Sequence, residues 1–205
     1  HAVMHDIYFR FYTKFFRDLG LLKFDEPAKN LFNQGFVYGS DGRKMSKSYG
    51  NVVLPAEVGK KYGVDAVRIF LMSVASPDKD FNWNDEGVES MSKFLKRTYN
   101  KILSLKEGKT SARMAHKLNK AIKETGEFIS DIKYNFAVIK MRSLCENLEE
   151  EMSKKDILSI VKLFSPFCPH LAEELWESLG GKGFVSLEEW PKADESKINN
   201  KLEEE

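Results

Sequence analysis

The stretch Asn84-Asp85-Glu86-Gly87-Val88-Glu89-Ser90-Met91-Ser92-Lys93-Phe94-Leu95-Lys96-Arg97-Thr98-Tyr99-Asn100-Lys101-Ile102 decides the fold class. Val88, Met91, Leu95 and Ile102 keep alternating three- and four-residue spacing, with Thr98 filling the gap, so they share one face of a helix. Asn84 can accept a hydrogen bond from a freed N–H at the helix start, and Asp85, Glu86 and Glu89 lie near its positive end. The pattern repeats downstream. Met114, Leu118, Ile122 and Ile129 mark a second amphipathic helix, and Val138, Met141, Cys145, Leu148 and Met152 a third. Ser153 with Asp156 is a capping-box variant that opens a fourth helix reaching about Phe164. Pro166 and Pro169 break it, and a last helical segment runs from His170 to Leu179 before Gly180-Gly181. Gly108-Lys109-Thr110 is a linker. Amphipathic helices on short loops predict a bundle, so the chain is mainly α.

Upstream of Asn84 the elements are shorter. Pro55 suits the first turn of a helix reaching about Tyr62. A second short helix spans about Asp65 to Ser73, ended by Ser76-Pro77-Asp78. Gly35-Phe36-Val37-Tyr38 is extended and runs into the turn signal Asp41-Gly42. Residues 2–19 carry Val3, Ile7, Phe11, Phe15 and Leu19 on one row and Met4, Tyr8, Tyr12 and Phe16 on the next, with Gly20 as the C-terminal cap. A helix so broadly apolar belongs inside a larger core. The chain starts at His1 without Met and enters at once on this helix, so a piece of a longer protein is expected. The main boundary falls near residue 83 and a softer one near residue 53. The tail over residues 192–205 is highly charged and expected to fray.

The 205 residues carry 32 Lys+Arg against 31 Asp+Glu, a net charge of +1, which excludes a uniformly basic nucleic-acid coat but not a local basic patch. Fifteen Phe and three Trp argue against disorder despite 31% charged residues. Two cysteines, Cys145 and Cys168, are too few for a disulfide scaffold or a four-Cys zinc site and fit a reduced, cytoplasmic chain. No apolar run is long enough to span a membrane, and no signal peptide is visible.

Lys44-Met45-Ser46-Lys47-Ser48 sets two ammonium groups and two hydroxyls in a loop just after the glycine turn, an arrangement suited to a polyanion such as a triphosphate. An isolated segment of this composition is most often only a solvated basic loop. Here the surroundings add to it. Lys44 to Ser48 matches, residue for residue, the signature loop of the class I aminoacyl-tRNA synthetases. Tyr49-Gly50-Asn51-Val52-Val53, Pro55 and the segment Tyr62-Gly63-Val64-Asp65-Ala66-Val67-Arg68 resemble the usual continuation of that loop in the family. Ser165-Pro166-Phe167-Cys168-Pro169-His170-Leu171-Ala172-Glu173-Glu174-Leu175-Trp176 resembles a late helix of the anticodon-binding bundle in the leucyl, isoleucyl and valyl enzymes. His1 to Gly20, Gln34-Gly35 and the segment Phe81 to Val88 are most similar to the leucyl group.

The resemblance implies the C-terminal edge of a Rossmann-type catalytic domain followed by an α-helical anticodon-binding bundle. The expected division is residues 1–53 for the catalytic edge with its loop, 54–83 for connecting helices, 84–191 for the bundle and 192–205 for the tail. It implies that Lys44, Met45, Ser46, Lys47 and Ser48 bind ATP, with Lys44 and Lys47 catalytic, and that Mg2+ arrives with the ATP phosphates. It implies leucine and a leucine-accepting tRNA as the other substrates, and the N-terminal remainder of the enzyme as a partner. The two-histidine ATP motif, the first strands of the nucleotide fold and an editing domain are not found in this sequence. His1 and His5, one helical turn apart, line the leucine pocket by the same resemblance; as an isolated pair they are as readily structural, and too few ligands stand with them for zinc. No protein-bound metal is expected. Lys93, Lys96, Arg97 and Lys101 form a basic side of the first bundle helix that can position RNA phosphates or simply face solvent, with Lys133, Lys140 and Arg142 adding to it. Phe94, Phe136, Phe164 and Trp176 are expected in the core, His116 and His170 in structural roles, and Cys145 buried and inert. A valyl, isoleucyl or methionyl fragment and a non-catalytic tRNA-binding module remain the alternatives.

Overall fold

The computed structural model describes residues 2–202. Its helices are α1 (Ile7–Asp18), α2 (Pro55–Tyr62), α3 (Val64–Val74), α4 (Asp85–Ser104), α5 (Ala112–Ser130), α6 (Tyr134–Glu146), α7 (Lys154–Phe164) and α8 (Pro169–Ser178). Four two-residue strands accompany them: β1 (Val37–Tyr38), β2 (Phe81–Asn82), β3 (Lys106–Glu107) and β4 (Glu151–Met152). The chain divides into two compact units, His1–Gly35 and Phe36–Glu205.

In the second unit the helix starts follow from local chemistry. Asn84 accepts the Glu86 N–H at 3.0 Å, and Ser111 accepts the Met114 N–H at 3.0 Å. Ser153 accepts the Asp156 N–H at 3.2 Å. The Asp156 carboxylate does not return to the Ser153 N–H as a reciprocal box requires; it accepts the Ser153 hydroxyl at 2.8 Å and the Thr110 hydroxyl at 2.6 Å, while Thr110 Oγ1 takes the Ser153 N–H. The variant box is thereby tied to the linker before α5. The apolar faces of α3 to α8 meet in one core around Ile69, Ile102, Met141, Leu163, Phe164 and Leu175.

Three expectations are corrected. The third bundle helix stops at Glu146, not Met152: Leu148 and Met152 are buried, but Met152 sits on β4, which pairs in parallel with β3. Burial alone cannot distinguish a helix from the strand after it. The tail is packed as far as Leu202: the Asp194 N–H bonds Asn119 at 2.7 Å, the Asn199 N–H bonds the buried His116 Nδ1 at 2.9 Å, and Lys123 pairs with Glu195. Phe136 is half-exposed against Phe128, whereas Phe94, Phe164 and Trp176 are buried as expected. Burial pushes the Cys145 thiol up to about 12, and Cys168 upward also, so neither is a nucleophile.

Two motifs far apart in sequence meet where α3 crosses the break between α7 and α8. Cys168, the residue before α8, makes no side-chain cap. Asp65 on α3 supplies it: one carboxylate oxygen accepts the Leu171 N–H at 2.7 Å and the other bonds His170 Nδ1 at 2.9 Å. One turn on, Arg68 donates to the Pro166 carbonyl at 3.0 Å and the Phe167 carbonyl at 3.3 Å, groups the proline break leaves without helical partners. Parallel pairing of β1 with β2, in register Val37↔Phe81, then fixes the segment before the signature loop to the approach to α4. Asp80 adds bonds to the Phe36 N–H and the Tyr38 hydroxyl.

In urea unfolding of the chain, Asp65→Ala is expected to cost about 2 kcal/mol, the loss of a charged cap and the stranding of a buried N–H. A change within about 0.5 kcal/mol, the scatter of an ordinary surface substitution, contradicts this role.

Candidate functional site

The signature loop is built on a tight turn. The Gly42 N–H bonds the Gly39 carbonyl at 3.0 Å, the Gly39 N–H bonds the Arg43 carbonyl at 2.9 Å, and Tyr38 and Lys44 form an antiparallel bridge. Asn51 closes the loop from its far side. Its Oδ1 accepts the Ser46 N–H at 2.9 Å, and its Nδ2 donates to Asp41 Oδ1 at 3.1 Å and lies 3.4 Å from the carbonyls of Arg43 and Lys44. One amide thus spans both arms of the loop. Gly39 makes room for it, since a Cβ there would stand 2.8 Å from Asn51 Nδ2 and 2.7 Å from Asp41 Oδ1.

Between these anchors Ser46 is extended and caps a short 3-10 turn, Lys47–Tyr49. Its Oγ accepts the Ser48 N–H at 3.3 Å and shares a hydrogen bond with Ser48 Oγ at 2.8 Å. The turn ends at Gly50 in the left-handed region, φ 65°. Met45 is half-buried and packs against the core, which orients the backbone between the two lysines.

Charge is distributed unevenly over this loop. Asp41, the nearby carboxylate, is saturated by Asn51 and by the Arg43 N–H and Nε. The Asn51 side chain and then the Arg43 backbone hold the Asp41 carboxyl below its ordinary value. The Arg43 guanidinium is spent on Asp41 and lies 4.9 Å from the Tyr49 ring centre. The Lys44 ammonium stands 5.2 Å from the Phe36 ring centre and has no carboxylate partner among the described residues. Lys47 is exposed and, among the described residues, makes no side-chain hydrogen bond or ion pair. The loop therefore holds two ammonium groups without carboxylate partners among the described residues on a pinned backbone, an arrangement whose chemistry suits an anion.

The other candidate residues fall elsewhere. His5 lies in the first compact unit, exposed and 6.4 Å from the Phe9 ring; His1 is outside the described residues. α1 in that unit leaves Phe11, Tyr12, Phe15 and Phe16 well exposed and buries only Thr13 of its residues, so its apolar surface is not covered within the unit. Arg10–Glu26 and Arg17–Asp25 ion pairs fold the next segment back on it, and Gly20 with φ 74° ends it. On α4 the four basic candidates differ in their partners. Lys93 pairs with Glu89 at 2.6 Å, and Lys101 donates to the Cys145 and Glu146 carbonyls at the end of α6. Lys96 and Arg97 are exposed with no such partners among the described residues. Lys133 pairs with Asp131, Lys140 with Glu124, and Arg142 lies over the Phe94 ring. Among the described residues no group of three or more His, Cys, Asp or Glu side chains could hold a metal ion, and no helix is long and apolar enough to cross a membrane.

Asn51 and Asp41 are the site residues that the pattern of lysines and hydroxyls does not single out. Asn51 comes directly after the glycine that ends the loop, and Asp41 opens the turn that begins it, so the signal available was their position at the two ends.

Residues 5–84 match the family model of tRNA synthetases class I (I, L, M and V), and residues 110–205 match that of the anticodon-binding domain of tRNA ligase. The chain is 41% identical over 222 residues to a leucine–tRNA ligase of Thermosipho melanesiensis, covering 97% of this chain and 27% of that protein. It is 42% identical to one of Mycoplasma capricolum, covering 97% and 25%. Among solved structures, a leucyl-tRNA synthetase of Agrobacterium radiobacter, crystallised as a ternary complex with tRNA and LeuAMS, superposes with TM-score 0.82 at 32% identity, covering 97% of this chain and 28% of that one. A methionyl-tRNA synthetase of Mycobacterium tuberculosis shares the fold at TM-score 0.57 and 18% identity, covering 83% and 41%. The chain spans about a quarter of the length of the curated relatives it matches.

Asn51→Ala is expected to release the loop, seen by NMR as faster exchange of the Ser46 amide and easier proteolysis after Lys44 or Lys47. Unchanged Ser46 protection contradicts the anchor. Acid acts on the same contact. A depressed Asp41 contributes above its ordinary value of 3.8 and loses its contribution as pH falls through the lower folded value. The Asn51 side-chain amide signals should therefore shift with a midpoint below 3.8 in the native chain, and a midpoint at or above 3.8 contradicts it.

Proposed function

Because the chain belongs to the class I tRNA synthetases, we propose that it carries the ATP-phosphate loop and the tRNA-facing helical bundle of a leucine-specific enzyme. In this reading residues 1–53 are the edge of the catalytic domain, 54–83 connect it to the bundle, and 84–191 are the bundle. The N-terminal remainder supplies the other half of the ATP site and, with His1 and His5, the leucine pocket. The leucine carboxylate attacks the α-phosphorus of ATP. A carboxyl oxygen–phosphorus bond forms, the α–β bridging bond breaks, and its electron pair leaves on pyrophosphate, which carries Mg2+ on its oxygens. Negative charge grows on the leaving group, where Lys47 and Lys44 stabilise it more than in the ground state. Ser46 and Ser48 offer hydroxyls to the same phosphates. The acyl group then passes from the adenylate to the tRNA 3′ end.

The observation that carries this reading is the exposed Lys47 ammonium, unpartnered among the described residues, on a backbone held at both ends by Asn51. Leucine is favoured over methionine, valine or isoleucine by about 41% identity to leucine–tRNA ligases along nearly the whole chain, against a likeness of fold alone to the methionyl enzyme.

Leucine-dependent exchange of pyrophosphate into ATP tests it, using this chain supplied with the N-terminal remainder of a leucyl enzyme. The assembled protein should exchange with leucine, and Lys47→Ala should lower the rate about 100-fold or more, the usual effect of losing one preorganised donor to a developing anion. Equal rates with Lys and Ala at position 47 overturn the assigned role.

A further inference from the structure

One groove outside the loop is lined by a free cation of α4. It lies between α3, α4 and α8 and encloses about 480 Å³, within the range of small-ligand sites. Its lining is largely apolar and includes Leu95, Tyr62 and Tyr99. Asp65 is the only carboxylate among the lining residues, and both of its oxygens are used, on His170 Nδ1 and the Leu171 N–H.

The polar rim points to one kind of occupant. Lys96 lines the groove and has no partner among the described residues, unlike Lys93 and Lys101 on the same helix. The Lys61 ammonium lies 4.7 Å from the Tyr62 ring centre and adds positive charge beside one wall. His170 is unusual in being 74% exposed at its side chain yet held by a buried carboxylate. The bond from Nδ1 to Asp65 fixes the ring and leaves Nε2 as the imidazole edge open to a hydroxyl. A free ammonium, aromatic residues and a fixed imidazole edge around one groove match phosphate, base and ribose hydroxyl in turn. An acidic peptide would use the cation but brings no ribose hydroxyl to the imidazole edge.

We propose that this groove holds one unstacked nucleotide of bound tRNA, its base against Tyr62 and Tyr99, its phosphate on Lys96 and its ribose 2′-hydroxyl on His170 Nε2. Stacking on aromatic side chains and reading the 2′-hydroxyl are how proteins take hold of single-stranded RNA and tell it from DNA. The proposal rests on the reading of the bundle as a tRNA-binding domain and adds a place and a contact set to it.

The test uses the 205-residue chain, a leucine-accepting tRNA, and ten-residue oligo(rU) and oligo(dU), which differ only at the 2′ position. Native chain should prefer oligo(rU). Lys96→Ala should weaken tRNA binding about tenfold and lower its log–log salt slope by about one, as expected for one lost phosphate contact. His170→Ala should abolish the preference for oligo(rU), and Tyr99→Leu should weaken both oligonucleotides. Lys96 is exposed and unpartnered among the described residues, so Lys96→Ala should unfold at the native urea midpoint. His170→Ala also removes a bond to Asp65, so His170→Asn, which keeps a donor for that carboxylate without Nε2, should lose the oligo(rU) preference as well. If native chain binds tRNA and all four variants bind it equally well, the groove proposal fails while tRNA binding stands. If native chain binds no tRNA even at low salt, both fail.

Discussion

A buried carboxylate at the start of α3 sets the terms for the rest of the second unit. The break at Pro166 and Pro169 separates α7 from α8 and strands polar backbone groups at the edge of a core containing Phe164 and Phe167. Unsatisfied groups in such a place cost several times what an ordinary hydrogen bond contributes. Cys168 cannot cap α8, so Asp65 and Arg68 come from α3 to meet the N–H and carbonyl groups on either side. That requirement fixes α3 against the late bundle. α2 and α3 come directly after the signature loop, and β1 pairs with the strand that leads into α4. The position of a five-residue loop is thus referred to the bundle through one ion-assisted cap and one pair of short strands.

The near balance of 32 basic and 31 acidic residues takes on a specific meaning in this light. Many cations are spent inside the unit: on carboxylates, as with Lys140 and Lys162, or on helix-end carbonyls, as with Lys101. Among the cations left without a carboxylate or carbonyl partner among the described residues are Lys44 and Lys47 on the loop and Lys96 and Arg97 on α4. Near-neutral bulk charge is compatible with locally uncompensated ammonium groups, because the total does not say which charges are paired.

Helix starts are legible in the sequence because caps act over three or four residues: Asn84, Ser153 and Pro55 each open the helix their chemistry suggests. The loop is legible as a pattern of lysines and hydroxyls, but not its anchoring, since the Asn51 amide works through contacts that span up to ten residues. Longer links are invisible from spacing alone. Nothing in Asp65 announces a partner 106 residues away, although both segments are recognisable separately. The third helix reads too long because Leu148 and Met152 continue its apolar period after the backbone has left it. The tail reads as frayed because its composition is polar, yet Asn119 and His116 offer it backbone partners from α5.

The central claim is that the loop-bearing segment and the helical bundle form one cooperative body because Asp65 joins α3 to α8. Native-state hydrogen exchange across low urea concentrations measures this directly. Core amides of α3, at Ile69 and Phe70, and of α8, at Leu175 and Trp176, should open with the same free energy and the same urea dependence, and Asp65→Ala should separate the two sets. If α3 in the native chain exchanges through a lower-energy opening while α8 stays protected, the two parts are independent and the claim is contradicted.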